Sequence, residues 1–592
     1  MLILVGGLCL LIIISTKLWW DYNDYKNKKH SPKQYIKYKP VLNNYSRIDI
    51  NRDRYSKRKI PENLDAIIIG SGIGGLSVAA FLSKVGKKVL VLEQHYIAGG
   101  CTHSFEINGV EHETGIHYIG NIEKRKKILD LITEDKIEWA KMGHEDNGIY
   151  DEVIIEEDKR YLFRAGTDNF INDMINYFPE EEIAIRKYVS LVKKAANKDL
   201  FFNIKILKPL WLQRLASFFL DKEYIYYINT SAYEVINKLT NNDNLIAALC
   251  GQFGDYGPTP KEANFFIHAS IVNHYLEGGY YPVNGTNTIS KKIIPTIEKT
   301  GGRVLVGKAV KKILFSNGKA NGVEMINNDL IYSPIIISSV GIRNTFFKLI
   351  DKSINNKIVN RYYNILCNIK PSTTFIYLFV NLEGNPNELG LKSRNLWIWP
   401  DKDYDRMIRN FESDPFNAPI PLFIACSCMK DTNWSNKYPG KSNAIILTTG
   451  KYEWFKEWEN ERCMHRSQEY KDFKEKIAQR MLNEGLYKYY PSTKDKVIDY
   501  EVGTPLTNNF YLGSYFGEAY GLDSNNYRYR NAFELRPETG IPGLYLSGQD
   551  ICTLGFTGAL MSGVLCAHSV LGYGTPKDII SKRNLIDDIS NI

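Results

Sequence analysis

The sequence predicts an α/β fold organised around a parallel sheet, and three observations predict it. A short apolar, β-branched run (Ala66 to Ile69) leads directly into a glycine-rich turn and an apolar helix. A second such run (Val89 to Leu92) ends on an acid, Glu93. Near the far end of the 592-residue chain, another short strand, Gly543 to Leu546, is followed by a turn, an acid and a glycine-punctuated helix start. Continuous apolar strands of this kind belong to sheets covered on both faces.

The first turn reads Gly70-Ser-Gly72-Ile-Gly-Gly75, a G-x-G-x-x-G motif. Gly70 permits the tight turn, Gly72 lets backbone approach a pyrophosphate, and Gly75 lets helix and strand pack closely. The helix from Leu76 to Val85 aims its N-terminal N–H groups and dipole at that anion. Glu93 lies 18 residues beyond Gly75, at the end of the next strand, where a carboxylate accepts hydrogen bonds from both ribose hydroxyls of an adenosine. The same charge repels a 2′-phosphate, so the pocket is expected to reject NADP. Next comes the pair Gly99-Gly100, which brings backbone close to the middle of a long cofactor, a feature an NAD dehydrogenase does not need. At the other end of the chain, Gly548 and Asp550 follow a strand, and Asp550 is placed for ribityl hydroxyls. The helix start at Gly558-Ala559 is placed to stabilise negative charge at the N1/O2 edge of a reduced flavin. The expected cofactor is therefore FAD, gripped by both ends of the chain.

Composition narrows the class. Hydrophobic residues at 44% and charged residues at 24% exclude wholesale disorder, a collagen-like chain and a multi-pass membrane protein. The net charge of +9 is local: residues 17–60 hold 13 Lys/Arg against 4 Asp/Glu, and the rest of the chain balances. No nucleic-acid partner is expected from a basic tail of that kind. Nine scattered cysteines without a CxxC pair disfavour a disulfide framework and a structural metal site. Residues 1–20 read as an N-terminal membrane anchor or signal segment and 21–60 as a basic linker attracted to anionic headgroups. The stretch Leu200 to Leu220 mixes Trp, Phe and Leu with Lys205, Lys208 and Arg214, and reads equally as an interfacial segment or a buried helix. The expected location is a membrane, that of the endoplasmic reticulum.

Taken together, Val91 to Phe105, Glu113 to Gly120, Val272 to Pro282, Thr504 to Tyr511 and Leu544 to Ile551 resemble the carotenoid/retinoid oxidoreductases. These include phytoene desaturases and carotenoid isomerases, and the likeness is greatest to the retinol-saturase branch. The resemblance spans about residues 60–572 and departs from the pattern at Asn284-Gly285, where a Gly-Gly pair is expected. It implies a discontinuous Rossmann-type FAD-binding domain (61–125, 278–370 and 495–575) carrying an inserted α+β substrate or cap domain (126–277 and 371–494). Within it, backbone at Val310 would contact the adenine. It also implies a lipophilic polyene substrate and reduction of a carbon–carbon double bond, with NAD(P)H as a candidate transient donor and the electron donor itself unnamed. Alternatives on the same scaffold are a polyene isomerase or desaturase and an amine-oxidase-like flavoenzyme; a non-catalytic FAD-binding scaffold is the remaining alternative.

Reduction of a polyene needs a proton besides a hydride. Candidate donors lie in two His-containing segments, with His117 and Tyr118 in one and His268, His274 and Tyr275 in the other. The order of expectation is His274, Tyr275, His117. Glu106, Glu111 and Glu113 read as surface or turn carboxylates.

Overall fold

The run Ala-Ile-Ile-Ile has no polar side to show to water, and the chain hides all of it. In the computed structural model, Ala66–Ile69 (β1) is buried along its whole length, with Ile67 and Ile68 fully excluded from solvent. Each such isoleucine contributes about 1.5–3 kcal/mol by burial. The structure describes residues 49–572 except 134–135, 197–203, 206–212, 214, 216–221, 352–353 and 355–356. The described residues all fall within one compact unit.

β1 is followed by helix α1 (Ile73–Lys84), then β2 (Val89–Leu92). β2 pairs in parallel with β1 on one side and with Arg303–Leu305 on the other. On its free side β1 pairs in parallel with β3 (Ile336–Ser338), which in turn pairs with β4 (Leu544–Leu546). The result is a five-stranded parallel sheet whose strands come from widely separated stretches of chain. On one face α1 packs against α3 (Gly555–Leu571), the C-terminal helix, so tightly that a Cβ at Gly563 would fall 1.8 Å from the Ser77 hydroxyl oxygen. A three-stranded antiparallel sheet (Val310–Ser316, Lys319–Met325, Leu330–Tyr332) contributes Ile313, Val323 and Met325 to the core on the opposite side.

A second, seven-stranded mixed sheet stands apart from the first. Its order is Val497–Gly503, Phe375–Glu383, Lys441–Thr449, Leu422–Ala425, Asn395–Trp399, Ile149–Ile155 and Lys159–Arg164. Helices including Glu182–Ala195 and α2 (Phe265–Tyr275) share an apolar core with it. This sheet revises one expected boundary. Val497–Gly503 was assigned by resemblance to the cofactor portion, yet it is hydrogen-bonded to Phe375–Glu383 along its length, so the chain leaves the second sheet only after Gly503.

Residues 49–60 also differ from a free linker. Asn51 is buried, its carbonyl accepts the Ala98 amide, and the backbone of Asp53 and Tyr55 exchanges hydrogen bonds with Val306 at the sheet edge. The expected anchor at 1–20, and the linker up to 48, lie outside the described residues, as does most of Leu200 to Leu220. Of that second stretch, Lys205 is described and is buried, with Nζ donating to the Ile551 carbonyl. No described helix is long and apolar enough to cross a membrane.

Candidate active site

One cavity of 1460 Å³ runs from the C-terminal edge of the parallel sheet to the face of the seven-stranded sheet. Its first end is built from backbone. Gly70 turns at φ +94°, which an L side chain rarely adopts, and β1 feeds α1 through it. A Cβ at Gly75 would lie 2.1 Å from the Gly70 carbonyl oxygen, so helix and turn touch there and Gly75 faces away from the cavity. A Cβ at Gly72 would meet nothing within 4 Å; it would project into the cavity that Gly72 lines. Gly74, a variable position of the motif, approaches the C-terminal turn so closely that its Cβ would sit 2.8 Å from the Gly548 Cα. The opening glycine turn and the far carboxyl-terminal turn are therefore in direct contact.

Glu93 sits at the end of β2 with 8% of its surface exposed. Its Oε2 accepts from the Ser71 amide (2.9 Å) and hydroxyl (2.6 Å), and Oε1 from the His95 amide (2.8 Å). A carboxylate offers about four acceptor positions, so one remains toward the cavity, where bonds to both ribose hydroxyls were expected. Gly100 lines the cavity, and a Cβ there would lie 2.8 Å from the Gly72 Cα. Gly99 does not line it. It lies one layer behind, donating its amide to Ser71 Oγ (3.0 Å) and accepting from Thr102 Oγ1 (2.8 Å), so its role is to brace the turn.

Val310 and Lys311 line the same end beside Glu93. Further along, Asp550 accepts from the Ile342 amide (3.0 Å) through Oδ2 and from the Leu522 amide (2.9 Å) through Oδ1. It thus ties two loops together while lining the cavity with Gly548. Sequence reasoning missed Arg528, whose buried guanidinium donates to the carbonyls of Leu522 (2.5 Å) and Gln549 (2.7 Å) and braces the same two turns. The first turn of α3, Gly555 to Ala559, faces the cavity, with the Gly555 amide donating to Gln549 Oε1 (3.1 Å), and Gly558 packs against Thr553. An open glycine cradle, an acid beyond β2 and a helix N-terminus, strung along one channel, fit an elongated dinucleotide cofactor.

The other end is built from side chains. Trp397, Trp399, Phe423, Phe375, Tyr377 and Leu447 present an aromatic and aliphatic wall from the seven-stranded sheet. Facing it, Tyr118 stacks on Tyr275 with centroids 4.1 Å apart and planes at 12°. The Tyr118 hydroxyl lies 2.6 Å from Asp255 Oδ2 and 3.0 Å from Asp151 Oδ2. Asp151 Oδ2 also accepts from Gln252 Nε2 (2.6 Å), and Oδ1 from Asn395 Nδ2 (2.8 Å). Lys430 is buried, with Nζ donating to Asn395 Oδ1 (2.6 Å) and the His117 carbonyl (2.8 Å). Burial pulls its ammonium down to about 8, against the opposing pull of Glu113 and Asp151. None of this network was assembled from the sequence. Its one local signal is the Asp-Glu pair inside the otherwise apolar strand Ile149–Ile155, every residue of which is buried.

The expected proton donors separate on inspection. His117 lines the cavity, its Nδ1 3.5 Å from Glu113 Oε1 and its ring 5.4 Å from that of Phe423. Glu113 is not the surface carboxylate expected: only 2% is exposed, because Val110–Glu113 packs beneath the second sheet. Burial alone would raise its carboxyl, but hydrogen bonding to His117 and the charges of His117 and Lys430 hold it below the usual range. His274 lines the cavity at the end of α2, and its Nε2 accepts the Gly120 amide (2.8 Å), which makes that nitrogen a backbone anchor. Tyr275 lines the cavity, and burial followed by the charges of Asp255 and Asp151 pushes its phenol well up. His268 is excluded from the cavity. Tyr188 and Tyr256 hold its two ring nitrogens at 2.8 and 3.2 Å, and burial lowers it to about 3.

Comparison with known proteins agrees with this geometry. Residues 68–134 match the NAD(P)-binding Rossmann-like domain. An oxidoreductase from Methanosarcina mazei superposes with a TM-score of 0.57 at 18% identity, covering 86% of this chain and 99% of its own. A putrescine oxidase gives 0.56 at 12% identity, covering 86% and 98%. Fold and cavity together define a Rossmann-type dinucleotide-binding protein. The sequence goes further: an all-trans-retinol 13,14-reductase of Danio rerio is 36% identical over 557 residues, 90% of each chain. The chain belongs to the all-trans-retinol 13,14-reductase family. A second Danio rerio relative, 31% identical over 90% of this chain and 89% of its own, is described as an inactive all-trans-retinol 13,14-reductase. A prolycopene isomerase of an Oncidium hybrid cultivar is 27% identical over 86% of this chain and 84% of its own.

Proposed function

We propose that this protein is an FAD-dependent reductase that saturates one carbon–carbon double bond of a lipophilic polyene of the retinol class. The observation that carries the reading is the single cavity joining the glycine cradle to the aromatic wall. FAD would lie along Gly72, Glu93, Gly100, Asp550 and the first turn of α3, and bound flavin supplies hydride transfer. The chain's own residues do the rest. Trp397, Trp399 and Phe423 bury a conjugated chain and exclude water, and the tyrosines opposite fix its height above the sheet. Glu93 disfavours a 2′-phosphate on the cofactor. NAD(P)H would serve only as a transient donor.

Family membership alone does not decide turnover, since one relative is described as inactive. The test is anaerobic incubation of the flavin-loaded full chain with all-trans-retinol and a small panel of carotenoids plus a chemical reductant. A product two hydrogens heavier is the expected result, and no product from fully reduced enzyme with any polyene overturns the proposal. The prolycopene isomerase likeness favours one second reading, a redox-neutral isomerase, which would return a product of unchanged mass and altered geometry. Membrane attachment through residues 1–20, at the endoplasmic reticulum, belongs to the same proposal. It is supported by the apolar start followed by a basic segment, and it fails if the full chain is released by salt from a membrane fraction.

A further inference from the structure

We infer that Asp255 is held as a neutral carboxylic acid on the cavity wall by Tyr118 and Asp151, and that it donates the proton when the double bond is saturated. The donor role rests on the reductase reading above; the position of the proton does not.

Counting hydrogens gives the argument. The Tyr118 oxygen lies 2.6 Å from Asp255 and 3.0 Å from Asp151, and each O···O contact of that length needs a hydrogen. The phenol supplies one. The second must sit on a carboxyl. Asp151 receives amide N–H donors on both oxygens, from Gln252 and Asn395, and each such bond favours its charged form. The Asp255 carboxyl has Tyr118 as its side-chain hydrogen-bond partner and no amide donor among the described residues. The proton therefore lies on Asp255, which donates to Tyr118, while Tyr118 turns its own hydrogen toward Asp151. Lys430, one amide removed through Asn395, balances the charge on Asp151.

The electrostatics agree with this order. Burial, then the nearby charge of Asp151, pushes Asp255 well above the usual carboxylate range, against the pull of Tyr118 and Lys430. Asp151 reaches only about 6, raised by burial and held back by Gln252 and Asn395. The other ionisable groups packed against the pair are the buried Tyr150 and Tyr275 and the partly buried Tyr520, whose phenols are all pushed up, with desolvation the largest cause. Two carboxyls forced close together cannot both ionise, which is how enzymes store an acid at neutral pH. Asp255 and Tyr118 line the cavity and Asp151 does not, so the stored proton faces the substrate end.

Saturation adds two hydrogens. One reaches the first carbon with an electron pair from reduced flavin, recharged by an external reductant. The other passes from Asp255 to the second carbon as a proton. Asp255 is left as a carboxylate and regains its proton from water.

The test compares the flavin-loaded full chain with D255N, D151N and Y118F by infrared difference spectroscopy in light and heavy water near neutral pH. Wild type minus D255N is expected to show a deuterium-sensitive carboxylic-acid C=O band, and wild type minus D151N carboxylate bands instead. A carboxylate signature for Asp255 overturns the inference whatever the activity. Should D255N fail to fold, aspartate labelled isotopically in the wild type reports the same band, and its absence has the same force. In turnover, D255N is expected to slow saturation about 10²- to 10⁴-fold with flavin content and flavin reduction by dithionite unchanged, and D255E to recover part of the loss. Saturation by D255N at the wild-type rate overturns the donor role. If wild type shows the acid band yet saturates nothing, the reductase reading falls and takes the donor role with it.

Discussion

The two ends of the cavity are made of different materials. Around Gly70, Gly74 and Gly100 the wall is main chain, and specificity comes from amides, a helix terminus and close approaches that leave no room for a side chain. Around Tyr118, Asp255 and Trp397 the wall is side chain, and its chemistry depends on which groups are buried together. Backbone sites tolerate little substitution because geometry is the function. Side-chain sites give way one group at a time, because each group has a separable role.

Breaking the backbone end should cost most. Gly75→Val places a branched side chain where even Cβ would lie 2.1 Å from the Gly70 carbonyl, so we expect the variant to lose flavin altogether or fail to fold. The visible flavin spectrum of the purified protein reads this out, and a yellow, stable variant would break the comparison. Glu93→Ala comes next. It removes the buried acceptor proposed for a charge-assisted ribose hydrogen bond, worth about 1.5–3 kcal/mol, so flavin affinity should fall roughly 10- to 100-fold by equilibrium titration.

The buried histidine behind the side-chain end sharpens the contrast through pH. His268 is lowered to about 3 by burial, so between its ordinary value near 6.5 and about 3 the unfolded chain binds a proton that the folded chain refuses. Stability from this residue is therefore intact above that window and is lost as pH falls through it. His268→Phe should lower Tm at neutral pH, by removing the partner of Tyr188 and Tyr256, while flattening the fall of Tm on acidification. The smallest effect is expected at His274. Because its Nε2 accepts the Gly120 amide, His274→Gln keeps an acceptor there, and kcat should stay within about threefold while the pH–rate profile keeps its shape. A large, pH-dependent loss would make it the acid in place of Asp255.

The same contrast explains what the sequence showed. Gly70, Gly75 and Glu93 were legible because the physics that requires them acts between neighbours: a positive φ, a helix seated on its own turn, an acid ending the adjacent strand. Gly74 and Gly548 meet across most of the chain, yet each sits in a locally readable turn. Tyr118, Asp151, Asp255, Asn395 and Lys430 have no such neighbourhood. Each comes from a different segment, and the spacing between them carries no period. Glu113 was misread because a charged residue on a short strand looks solvated until its cover is known; that cover is residues of the second sheet. Val497–Gly503 was misassigned for a related reason, since a strand's pattern tells which face is apolar but not which partner it will find.

The parallel sheet has one further consequence. Its last strand, β4, is residues 544–546, and α3 follows it, so the nucleotide site has no complete wall until the chain has been made through residue 571. Cofactor loading must then be a late event in biogenesis. A message truncated anywhere upstream of β4 would yield a product that lacks one wall of the nucleotide site.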